Sequence, residues 1–246
     1  MAVRIFLHSI GLVFNQLSGA FRISGLLYLV YFVLSFLALM ILVHPTPERM
    51  PSFPGLVLFA GLLGGLFFLW IAVSWHRFVL IDELPNAPIP KFHRDQILVY
   101  FGRGVQTALI VMLVSIIPFA LLVLLVFVTK SEQILVPFGI IATIITLVVS
   151  YRLAPMLPGA AIGQSISAGA AWTATSGAFG TIFGLAVISS LASLVLDLPA
   201  ELLKLLPGGA FLVFGWLFAT TWVKLMVGVS ILTTIYGVYI EKRVLS

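Results

Sequence analysis

No cysteine occurs in this 246-residue chain. Disulfides, thiolate metal sites and cysteine nucleophiles are therefore excluded. Charge is scarce as well: 9% of the residues are Asp, Glu, Lys or Arg, against roughly 25% in soluble domains. Several chemical signatures are missing too. There is no HExxH pair, no paired aspartates inside the apolar runs and no Ser/Lys constellation. No glycine-rich loop leads into Lys-Ser or Lys-Thr, so nothing drives transport with ATP. Gly163-Gln164-Ser165-Ile166-Ser167 lacks the closing glycine of a serine nucleophile elbow. His76 and Asp82 are separated by five residues, one more than in a membrane acyltransferase box. His93-Arg94-Asp95 fits no better, and an isolated histidine beside an interface is expected to be solvated. No catalytic residue, metal site or cofactor is expected, and the chain is read as a non-enzyme.

What remains is apolar. Hydrophobic residues make up 61% of the chain, and the mean hydropathy is +1.21. A bilayer span needs about 20 apolar residues. Charge-free runs of that order occur at 23–43, 51–75, 104–129, 133–151 and 177–196. A sixth, 205–240, is interrupted only by Lys224. The expected fold is all-α: one integral-membrane domain over 1–246 with six transmembrane helices at about 22–44, 53–78, 99–129, 133–154, 177–197 and 209–236.

The N-terminus superficially resembles a signal peptide, with Arg4 ahead of an apolar stretch and Ser18-Gly19-Ala20 after it. His8, Asn15 and Gln16 break that stretch and argue against cleavage. Arg4, His8, Gly11, Asn15, Ser18 and Arg22 recur at helical spacing, opposite Phe6, Val13, Leu17 and Phe21. The pattern predicts an interfacial amphipathic helix over 3–20. A bent extension of the first span would give the same stripe.

Charge also sets an orientation. Arg4, Arg22, Arg77, Lys91, Arg94, Arg103, Arg152, Lys242 and Arg243 lie at one set of span ends. Arg49, Lys130 and Lys204 lie at the other. The majority side is cytoplasmic by the positive-inside rule, so both termini are expected in the cytoplasm of a bacterial inner membrane. The net charge of +5 is explained by anionic lipid headgroups rather than nucleic acid. Trp75-His76-Arg77 and Tyr151-Arg152 each close a returning span. Their spacing fits three worn helical hairpins, or the simple gathering of arginine at span ends.

Few residues stand out as candidate sites. Trp75 and Tyr151 beside Arg77 and Arg152 suit interface anchors. Arg22, Arg77, Arg103 and Arg152 are expected at similar depth, where guanidinium groups could grip a lipid phosphate. Small residues at Ser176, Gly177, Gly180 and Gly184, and at Gly61, Gly64 and Gly65, suit close helix packing in lipid. Pro118 should kink its span.

Lys224 is the exception to the pattern. A central lysine costs about 2.5–3.5 kcal/mol on insertion. No apolar run contains Asp or Glu, and Asp197 and Glu201 fall on the outer side, so no ion pair within the spans is expected. Side chains lean toward the helix N-terminus, which here points outward. Three environments stay open: water reached by snorkelling, an acidic group of a partner or a lipid headgroup, or a polar cavity with Thr220 or Thr221.

Three stretches carry a family resemblance: 75–80, Arg152-Leu153-Ala154-Pro155-Met156-Leu157-Pro158-Gly159-Ala160, and Ala171-Trp172-Thr173-Ala174-Thr175-Ser176-Gly177. The chain resembles bacterial inner-membrane proteins of the YciC-like group, including the membrane domain attached to some glycerophosphoryl diester phosphodiesterases. The resemblance implies a six-helix bundle with amphipathic entry segments. It carries over no catalytic residue, because those phosphodiesterases react in a separate soluble domain. The expected function is that of an accessory membrane protein that binds another integral membrane protein or organises lipid. The alternative is a small transporter or lipid-handling protein with a polar cavity near Lys224, and an intramembrane enzyme is the third reading.

Overall fold

Inside a bilayer every backbone N–H and C=O needs an internal partner, so an apolar chain crosses as helix. The structure, a computed structural model, describes residues 1–43 and 53–245 and holds no strand among them. The helices are α1 (Ala2–Phe14), α2 (Leu17–Val43), α3 (Phe53–Ile81), α4 (Arg94–Thr129), α5 (Leu135–Leu153), α6 (Met156–Ala161), α7 (Ala168–Ala174), α8 (Phe179–Leu203) and α9 (Gly209–Tyr239). The proline-rich joint 44–50 lies outside the described residues.

Among the described residues five helices (α2, α3, α4, α8 and α9) are long and apolar enough to cross a membrane. This is a multi-pass membrane protein. The segment expected as the sixth span, 133–154, is α5. At 19 residues it is about 28 Å long, shorter than the other five.

Several boundaries differ from expectation. α1 stops at Phe14, and a two-residue turn at Asn15-Gln16 precedes α2, so the helix expected over 3–20 is divided. α8 continues to Leu203 with Pro199 inside it. The helix therefore extends beyond the charge-free run and includes Asp197. α4 is likewise a single helix through Pro118.

α9 is the central helix, and its buried residues fall almost wholly between Thr220 and Gly237. One cluster packs Met226 and Trp222 against Ile23 and Tyr28 of α2, Ile71 and Trp75 of α3, and Tyr100 of α4. A second packs Ile231 and Ile235 against Ile5 of α1, Tyr151 of α5, and Ile182 and Leu185 of α8. Both clusters lie toward the end of the bundle that holds the two chain termini, called the proximal end. Toward the distal end the side chains open outward: Phe127 and Phe211 are each 80% exposed. Apolar exposure on that scale suits hydrocarbon rather than water.

Only some of the small residues are packed as expected. A Cβ on Gly64 would collide with the Tyr31 ring, and one on Gly184 would lie 3.2 Å from Cβ of Ala2. Gly61, Gly65, Gly177 and Gly180 face open space.

Candidate functional site

Three polar assemblies interrupt the apolar packing. The first is fully enclosed. Ser230, Thr233 and Thr234 of α9 each donate to a carbonyl four residues back, Met226, Val229 and Ser230 respectively. Their oxygens then meet three other helices. Trp75 Nε1 donates to Ser230 Oγ at 2.9 Å. Thr234 Oγ1 lies 2.9 Å from Ser9 Oγ of α1. His76 Nδ1 lies 2.7 Å from Thr233 Oγ1, and Nε2 lies 3.2 Å from the Tyr100 hydroxyl. Because the Thr233 proton goes to Val229, the network assigns the imidazole proton to Nδ1, and Tyr100 donates to Nε2. His76 is completely buried and lines neither cavity described below. Its place in the fold is to hold α3, α4 and α9 together.

This corrects three expectations. His76 is not solvated. Trp75 and Tyr151 are buried, not facing headgroups; the Tyr151 hydroxyl donates to Ser189 Oγ at 2.9 Å. The cause is the same in each case. α9 presents its hydroxyls at this level, and α8 presents Ser189, so these polar tips find partners inside the bundle.

The second assembly lies at the proximal end, under the loop between α3 and α4. Arg77 Nε donates to Glu83 Oε2 at 2.7 Å, and Nη2 of the same guanidinium contacts that oxygen as well. His93 Nε2 lies 2.6 Å from the other carboxylate oxygen. Arg77 Nη1 also donates to the Ala161 carbonyl at 3.0 Å. Burial pushes the Glu83 carboxyl up, but hydrogen bonds and charge from Arg77 and His93 outweigh it and hold the group below its usual range. Asp82, which starts the loop, has a φ of 54°, the left-handed region that costs an ordinary residue energy. A cavity of about 370 Å³ lies under the loop, lined by Ser74, Arg77, Glu83, Asn86, Lys91 and His93 among others.

The four arginines have separate partners. Arg22 Nη1 donates to the Pro85 carbonyl at 3.4 Å, so it reaches the same loop as Arg77. Arg103 donates to Ser165 Oγ and to Gln106 Oε1, at 2.9 Å in each case. Arg152 donates to the Trp172 carbonyl at 3.0 Å and lies 3.7 Å over that indole ring. Only Arg77 lines the loop cavity.

The third assembly is a groove of about 950 Å³ between α1, α5, α8 and α9. Most of its wall is apolar: Phe6, Ile10, Leu147, Val227 and Ile231 are typical. α8 supplies a polar stripe of Ser190, Ser193 and Asp197, spaced as one helical face. Ser190 Oγ is buried with no hydrogen-bond partner. At the distal end of the stripe, Lys224 Nζ lies 2.6 Å from Asp197 Oδ1.

Lys224 is thus half of an ion pair, against expectation. Its side chain does lean outward, toward the N-terminus of α9. There it meets a half-exposed carboxylate that the extended α8 carries, six residues before its end at Leu203. The expected partners Thr220 and Thr221 do not line the groove. Thr220 donates to the Trp216 carbonyl at 2.9 Å, and the Trp216 indole donates to the Leu196 carbonyl at 2.8 Å.

No family model, curated protein or solved structure matches this chain. The assignment of a site therefore rests on geometry. Among the described residues no cluster of three or more side chains suited to a metal ion occurs. The groove is larger than the loop cavity, lies along α8 and α9, and joins an apolar wall to a few polar groups, the usual composition of a ligand site. Sequence reasoning missed Asp197, Ser190 and Ser193. The spacing 190, 193, 197 was readable as one face, but only the partner helix shows that the face lines a groove.

Proposed function

We propose that this protein is a non-enzymatic lipid-handling membrane protein that holds a membrane lipid in the groove between α1, α5, α8 and α9. The supporting observation is the combination of one long apolar wall with a polar stripe ending in a charged pair. Lipid is the medium around these helices, and its molecules carry an apolar chain beneath a polar head. A groove of about 950 Å³ falls in the size range of ligand pockets, roughly 300–1,000 Å³. The proposal takes up the lipid-organising half of the accessory expectation and the cavity near Lys224 of its alternative.

The surrounding topology is part of the proposal. α5 makes a sixth crossing, and both termini lie in the cytoplasm of a bacterial inner membrane. Support comes from the lysine and arginine count, nine at the proximal span ends against three at the distal ones. α1 lies at the proximal end with Arg4 exposed.

The test uses two glycines that line the groove, Gly139 and Gly228. A Cβ added at either meets no atom within 4 Å, so a larger side chain extends into the groove. The full-length protein, extracted in mild detergent, should retain lipid by native mass spectrometry. Gly139→Leu and Gly228→Leu should lose that lipid while melting normally. Undiminished lipid in both variants would overturn the proposal.

A further inference from the structure

The groove holds two charged side chains, and they are paired with each other. Among the described lining residues the charged side chains are Asp197 and Lys224. The pair is not sealed: the Lys224 side chain is 31% exposed and that of Asp197 51%. Only Oδ1 of the carboxylate meets the ammonium. A carboxylate has about four lone-pair sites and an ammonium three protons. Both partners therefore keep unused capacity facing the groove.

A wall with one cation and one anion is complementary to a head of the same kind, set in the opposite order. A phosphate placed on Lys224 satisfies its free protons. An ammonium placed on Asp197 satisfies its free oxygen. The four charges then alternate and the group stays neutral, which matters where water is scarce. A head with a net negative charge has no such arrangement. Its phosphate on Lys224 sits beside the Asp197 carboxylate with no cation to offset it, and like charges brought together cost free energy.

The stripe continues this logic along α8. Ser193 is one turn below Asp197, and Ser190 nearly two turns below, about 6 Å and about 10 Å along the axis. A buried hydroxyl without a partner is costly unless something occupies the space before it. Ser190 Oγ is such a group. The residue lines the groove below the charged pair and beside the apolar wall, with Oγ itself enclosed by protein.

We infer that the Lys224–Asp197 pair reads the headgroup, and that the groove selects lipids whose head carries both a phosphate and a primary ammonium over lipids with a net anionic head. This rests on the groove being a lipid site, and the experiment separates the two ideas. The full-length protein is placed in bilayer discs with equal amounts of phosphatidylethanolamine and phosphatidylglycerol, and the retained lipids are counted by native mass spectrometry. The wild-type protein should favour the zwitterionic lipid by about twofold to fivefold, the scale of one partly screened charge interaction. Asp197→Asn should lose or reverse that preference. The double variant Asp197→Lys with Lys224→Asp keeps a pair and should keep the preference, which guards against a variant that merely misfolds. Equal retention of both lipids by the wild type, with loss of both in Gly228→Leu, would overturn headgroup selection and leave the lipid site standing. If the wild type retains neither lipid, both ideas fall.

Discussion

Lys224 of α9 and Asp197 of α8 meet at 2.6 Å, and together with the Trp216 indole on the Leu196 carbonyl this pair ties the distal parts of two antiparallel helices whose main packing lies at the proximal end. Removing one partner leaves the other unpaired beside apolar wall. Asp197→Leu should therefore destabilise the protein more than the double variant Asp197→Leu with Lys224→Met. Loss of one partner from a fully buried pair costs about 3–5 kcal/mol. With both side chains partly exposed here, about 1–2 kcal/mol is expected. Thermal unfolding of the two single variants and the double gives the coupling directly. A double variant whose loss equals the sum of the two single losses would show that the pair contributes nothing.

His76 has both ring nitrogens engaged, one by Thr233 and one by Tyr100. Thr233→Val should cost about 1–3 kcal/mol, because the imidazole loses a partner it cannot replace with water. His76→Phe strands the buried Tyr100 hydroxyl, while Thr233 keeps its bond to Val229, and should cost a similar amount. Neither variant should change lipid retention at the groove, since His76 does not line it. Melting temperature and lipid count in the same preparations check both halves.

Gly64 faces the Tyr31 ring with no room for a methyl group. Gly64→Ala should separate α2 from α3 and cost about 1–3 kcal/mol, the range for overpacking. Gly65→Ala, one position on, faces open space. It should be neutral or stabilising by up to about 1 kcal/mol through helix propensity. Combining Gly64→Ala with Tyr31→Ala should recover much of the loss. Chemical or thermal unfolding of this set tests the contact itself.

Glu83 gives an acid-side pH dependence. Its folded value is lowered from an ordinary 4.5, so the folded state binds its proton less readily than the unfolded state. The stabilisation is fully present above 4.5 and is lost as pH falls through the lowered value. Glu83→Gln should lower stability at neutral pH, where the carboxylate's contribution is fully present, and should remove this part of the acid-side slope, so that the two proteins converge at low pH. Unfolding curves collected from pH 6 downward for both proteins measure it.

Composition and charge placement by themselves determined the solvent and the class of fold. An apolar chain with so few charges can satisfy its backbone only as membrane helices, and the runs fell close to the helices observed. They also marked Lys224 as the residue needing an explanation and gave the direction of its side chain. The tertiary structure alone decided what that side chain meets. Apolar runs such as α8 and α9 are hydrophobic nearly all round, so periodicity gives no inward face. Which residues touch depends on the axial offset and rotation of one helix against another. That offset brought Asp197 to Lys224, put Trp75 and His76 against Ser230 and Thr233, and opened the groove beside Ser190. Each of these pairs joins residues on different helices, where no local spacing rule applies.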